Sequence, residues 1–81
     1  MPTFKCEIKK QYGKFNAHVW RASEKGDVPV AKDLPTLQVA VEKVLAGAGQ
    51  LGYADGDEVI FRDTAYATLG ELKGVMLRSP Y

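Results

Sequence analysis

The sequence holds one cysteine, Cys6, one histidine, His18, and one tryptophan, Trp20. A single thiol excludes an internal disulfide, an iron–sulfur cluster and a cysteine-rich zinc site. A single imidazole leaves no multi-histidine metal centre. No G-K-[ST] string occurs, which removes the phosphate-binding P-loop. The serines, Ser23 and Ser79, lack the strand-to-helix glycine context of a nucleophile elbow, and no pair of carboxylates is spaced for acid/base work. No apolar run approaches the roughly eighteen residues of a membrane span, and no signal-peptide-like stretch opens the chain. These absences set the expectation of a non-enzymatic cytoplasmic protein that uses no metal, cofactor or membrane.

What is present is ordinary globular composition: 81 residues, 46% hydrophobic and 26% charged. That length holds one domain, residues 1–81, and a core too small to spare volume for a deep active site. The net charge of +1 conceals a polarity. Residues 1–32 carry seven Lys or Arg against three acids, and residues 33–81 carry four against seven. A basic half and an acidic half can orient an encounter with a charged partner.

Thr3–Lys9 alternates, with Phe4, Cys6 and Ile8 on one face and Lys5, Glu7 and Lys9 on the other. After a turn at Gln11-Tyr12-Gly13, Lys14–Ala22 sets Phe15, Ala17 and Val19 against Asn16, His18 and Trp20, so residues 3–22 read as a hairpin. A short third strand is expected at Val28–Ala31, confined by Pro29 to an edge. Leu34, Leu37, Val41, Val44, Leu45 and Ala48 follow helical spacing and predict a helix over Pro35–Ala46, with Pro35 in its first turn and Gly47 and Gly49 ending it. Strands are expected at Glu58–Arg62 and Ala65–Leu69. Thr68 and Glu71 have capping-box spacing for a single helical turn ending at Gly74, with a last short strand or packed tail at Val75–Leu77. The fold class is α+β: an antiparallel sheet in ββ(β)αββ order with one amphipathic helix on one face, a two-layer sandwich.

Two motifs dissolve on inspection. Gly47-Ala48-Gly49-Gln50-Leu51-Gly52 spells G-x-G-x-x-G but follows a helix and precedes a strand, the reverse of a dinucleotide-binding loop. Asp55, Asp57 and Glu58 cluster oxygens without EF-hand spacing, and turn chemistry accounts for Asp55-Gly56. The hairpin's outer face is the candidate site. Lys5, Lys9, Lys14, Asn16, His18 and Trp20 emerge there together, with Tyr12 at the turn and Arg21 beside them. Trp and Arg are the residues that anchor protein interfaces, so a protein partner fits this face. Lysines contacting phosphates beneath a stacking Trp20 would instead make it a nucleic-acid-binding surface. In a third arrangement the segment Val75–Tyr81 covers Trp20 and the face is a minor core. A monomer is expected, or a homodimer through an edge at Val28–Ala31 or Val75–Leu77.

The opening Pro2-Thr3 strand, the Gly13–Arg21 hairpin arm, the Ala/Val-rich helix at Val39–Ala46 and the Val59-Ile60-Phe61 strand followed by Glu71-Leu72 resemble the layout of small phage-encoded anti-CRISPR proteins. The resemblance is one of size and element order across most of the chain. It implies an inhibitor that binds a bacterial nucleic-acid-handling complex through its surface. Such inhibitors are frequently acidic, and the basic hairpin departs from that tendency.

Overall fold

The computed structural model describes residues 3–26, 28–54 and 56–79. Strands β1 (Thr3–Gln11) and β2 (Lys14–Arg21) form an antiparallel hairpin with Cys6 opposite Val19 and Ile8 opposite Ala17. Tyr12 and Gly13 join them at φ of 51° and 76°, the doubly left-handed backbone that suits the twist of a two-residue hairpin turn. Strand β3 (Ala31–Leu34) lies along β2, with an irregularity between Phe15 and Ala17. Helix α1 (Leu37–Gln50) follows, then β4 (Glu58–Phe61), β5 (Thr64–Tyr66) and α2 (Leu69–Arg78). The sheet order is β3-β2-β1-β4-β5.

The expected antiparallel sheet is corrected here: the sheet is mixed, because β1 and β4 run parallel, Phe4 beside Val59 and Cys6 beside Phe61. The chain makes a hairpin at each end of the sequence, and α1 carries it between them. Parallel partners need a crossover of a dozen or more residues, and α1 supplies one. The single helix expected from the sequence becomes two. Val75–Leu77, expected as a strand or tail, lies inside α2. Thr68 caps α2 as its spacing predicted, its hydroxyl accepting from the Glu71 N–H at 3.2 Å. The helix then continues through Gly74, since Leu72 and Met76, one turn apart, both reach the core. The edge strands are β3 and β5, so the edge expected at Val28–Ala31 shifts to Ala31–Leu34 and the return strand expected at Ala65–Leu69 shortens to Thr64–Tyr66.

Helix α1 is also displaced from its expected bounds. Thr36 caps it, accepting from the Val39 N–H at 3.2 Å, so Pro35 precedes the helix instead of opening it. Gly47 and Gly49 lie inside it. The chain leaves at Gly52, φ 99°, where the Gly52 N–H donates to the Gly49 carbonyl and the Tyr53 N–H to the Ala48 carbonyl. That pair of bonds is a Schellman termination, which needs the left-handed residue just past the helix end. One apolar cluster gathers Phe4, Cys6 and Ile8 of β1, Ala17 and Val19 of β2, Val59 and Phe61 of β4, Val41 and Val44 of α1, and Leu72 and Met76 of α2. Residues of both helices share this cluster with the inward apolar side chains of β1, β2 and β4, and among the described residues no helix contributes to the opposite sheet face. Among the described residues, no helix is long and apolar enough to cross a membrane.

Candidate functional site

The helix-free face is assembled from three strands. On β1 it presents Lys5, Glu7 and Lys9; on β2, opposite them, Trp20, His18 and Asn16. Parallel pairing puts Ile60 of β4 beside Lys5 on its other flank. An open cleft of about 450 Å³ results, lined by Lys5, Cys6, Glu7, Trp20, Ile60, Arg62 and Asp63. Trp20 and Ile60 form its apolar walls. Glu7 lies 3.8 Å from Arg62 across it, and Arg62 also stands over the Phe61 ring at 5.1 Å.

The alternation that predicted this face is correct for Lys5, Lys9, Lys14, Asn16 and Trp20, but two of the named residues are used differently. His18 is only 3% exposed, and its Nδ1 sits 3.0 Å from the Gly26 carbonyl oxygen. It fastens the loop after β2 to the sheet, and its imidazole is part of the fold. Arg21 pairs with Phe4 and so belongs to the helix side. There its guanidinium donates to the Leu51 carbonyl at 2.7 Å, at the C-cap of α1, and approaches Glu24 at 3.7 Å. A cation at a helix C-terminus opposes the partial negative charge of the unpaired carbonyls.

Trp20 is half-buried, with one face of its indole covered by Gly26. In the alternative cover, the segment Val75–Tyr81, Val75 and Met76 belong to the core cluster on the other side of the sheet, and Pro80 and Tyr81 lie outside the described residues. Asn16 is engaged as well, its Oδ1 accepting from the Asp33 N–H at 3.1 Å. Lys5, Lys9 and Lys14 are exposed, and Tyr12 at the hairpin tip is 94% exposed.

Three residues of the cleft, Ile60, Arg62 and Asp63, were not anticipated on this face, and Glu7, placed on it by alternation, was not named as a site residue. The alternation of Val59 and Phe61 around Ile60 signalled that Ile60 faces away from the core. Nothing local signalled that β4 would lie beside β1, and without that neighbour the cleft does not exist. Cys6, the one thiol, is buried, and burial, then the Glu7 charge, pushes its pKa up from 9.0 to about 12, away from the thiolate form. Asp57, one of the clustered acids, is buried and accepts from the Ala54 N–H at 2.9 Å, a loop-closing role, while Asp55 falls outside the described residues. Compared with protein-family models, with curated proteins and with solved structures, the chain matches none.

Proposed function

We propose that the protein is a non-enzymatic protein-binding module whose docking surface is the cleft on the helix-free sheet face. The observation that carries this reading is the composition of the cleft: an accessible Trp20 edge and Ile60 on the walls, rimmed by Lys5 and Arg62 together with Glu7 and Asp63. Both signs of charge around an apolar centre suit a polypeptide, which offers both signs and apolar side chains in return. Two carboxylates in the same small cleft oppose a phosphate backbone. The resemblance to anti-CRISPR proteins would make the partner a bacterial nucleic-acid-handling complex and the protein its inhibitor.

The test is affinity capture from bacterial extract with the native chain and with Ile60→Glu, which places a charge on the cleft wall while leaving the core side of β4 untouched. A protein retained after nuclease treatment and at high salt, and lost with Ile60→Glu, supports the reading. Retention abolished by nuclease, retention equal for the two chains, or no retained protein at all, counts against it.

A further inference from the structure

The hairpin extends past its neighbour on one flank. Strand β1 runs from Thr3 to Gln11, but β4 pairs only Thr3–Cys6, so Glu7–Gln11 carry no strand on that side. The end of this arm holds Lys9, Lys10, Tyr12 and Lys14, and no acidic residue occurs between Ile8 and Ser23. The ion pairs among the described residues are Arg21–Glu24 and Arg62–Glu7, and neither draws on these lysines. Glu7, the acid nearest along β1, is balanced by Arg62. The backbone N–H of Asp33, on the adjoining β3, donates to Asn16 Oδ1 of β2, and Asp33 follows Lys32 in the chain.

Tyr12 is the telling residue. It is 94% exposed and sits at φ 51°. The first position of such a turn favours Asn, Asp or Gly, because a β-carbon is strained in the left-handed region. The ring adds nothing to the core. A large aromatic therefore stands at a strained position where a small residue would serve the fold better, within three residues of three lysines on a two-stranded support. The exposed ring is therefore available to a partner, and the lysines of the turn set the charge that partner must carry.

We infer that this hairpin tip binds single-stranded nucleic acid, with Tyr12 stacking on an unpaired base and Lys9, Lys10 and Lys14 contacting the flanking phosphates. On the outer face, Lys9 and Lys14 occupy diagonal positions of the hairpin, about 7–8 Å apart at the backbone. Lys10, on the other face, leans over the Phe15 ring at 5.8 Å and adds a third cation two residues before the tyrosine. Base stacking on an aromatic ring is indifferent to sequence, so no preference among bases is expected. An anionic membrane is the weaker fit, since Tyr12 is flanked by Gln11 and Gly13 and brings no apolar wedge to insert. The site is separate from the cleft and stands or falls independently of it.

The test is fluorescence anisotropy with a labelled twelve-nucleotide RNA and the matching DNA single strand, at low and physiological salt, beside duplex DNA and anionic phosphatidylserine vesicles. The native chain should bind both single strands, with log affinity falling against log salt at a slope of about −2 for three phosphate contacts. Tyr12→Asn, which suits the turn and spares the fold, should weaken binding by about 5- to 150-fold with the slope unchanged. The triple change Lys9→Gln, Lys10→Gln, Lys14→Gln should remove most of the slope. Ile60→Glu should leave single-strand binding intact, which separates this site from the cleft. No binding at low salt, equal binding by Tyr12→Asn, or binding to the vesicles alone would overturn the inference. Tighter binding to duplex DNA than to either single strand would overturn it as well.

Discussion

Gly26 lies against the Trp20 indole so closely that a β-carbon on it would overlap ring atoms Cδ2, Cε2 and Cε3. The same glycine offers its carbonyl to His18, so the loop after β2 is held by a stacking contact and a hydrogen bond at adjacent positions of one strand face. This relationship decides how much of Trp20 a partner can reach.

Gly26→Ala should therefore lift the loop from the ring. The expected result is a red shift of the emission of the single tryptophan and a loss of about 1–3 kcal/mol of stability, the range for overpacking a fitted contact. Emission spectra and urea unfolding of the variant measure both, and a variant with native emission and native stability would show that the loop does not rest on Trp20.

Two glycines of α1 should respond in opposite directions. A β-carbon at Gly47 would come within 2.6 Å of Val19 Cγ1, whereas one at Gly49 meets nothing within 4 Å. Gly49→Ala should stabilise by about 0.5–1 kcal/mol through helix propensity. Gly47→Ala gains the same propensity but must push α1 from β2, so its net effect should be destabilising by about 1 kcal/mol or more. Thermal melts of the two variants side by side are decisive, since equal shifts would mean that the close approach of Gly47 to Val19 is not real.

The turn between β4 and β5 places Arg62 and Asp63 at φ of 50° and 66°, both strained for residues with a β-carbon. Asp63→Gly relieves the second position and leaves the Arg62–Glu7 pair in place. A rise of about 0.5–1 kcal/mol is expected, visible as a melting temperature several degrees higher. A lower melting temperature would show that the Asp63 side chain does more for the fold than the strain costs.

Cys6 gives a pH dependence with a definite sign. Its thiol is held at about 12 in the folded chain against 9.0 when unperturbed, chiefly by burial and secondarily by Glu7. Between those values the unfolded chain releases a proton that the folded chain keeps. The stability from this thiol is therefore full below pH 9 and is lost as pH rises from 9 to about 12. Cys6→Ala should lose less stability than the native chain over that interval, measured by urea unfolding at pH 8, 9.5 and 10.5. In parallel, thiol-reactive reagent at pH 8 should modify the folded protein slowly and the urea-unfolded protein fast. Identical pH profiles for the two chains would contradict the buried thiol.

Local pattern alone predicted the hairpin of β1 and β2, the cap at Thr68 and the division of the hairpin into a core face and an outer face. These depend on neighbours in sequence: a period of two, a turn residue, a hydroxyl three residues before an N–H. The end of α1 was less legible. Gly47 and Gly49 look like terminators, but Gly47 is small because β2 presses against it, and Gly52 is the residue whose φ ends the helix. Position in sequence does not distinguish a glycine that turns the chain from one that makes room for it.

The sequence by itself determined which side chains each strand of the hairpin turns inward, and that Lys5, Lys9, Lys14 and Trp20 would collect on the outer side. Only the tertiary structure decided what stands beside them. Parallel pairing of β4 with β1, more than fifty residues apart, brought Ile60 to Lys5 and Arg62 to Glu7 and so formed the cleft. Packing of the loop after β2 withdrew His18 from the surface, and the end of α1 gave Arg21, already on the inner face by alternation, a carbonyl to bond. Strand order and loop packing are set by the sum of contacts over the whole core, a quantity that no local spacing encodes.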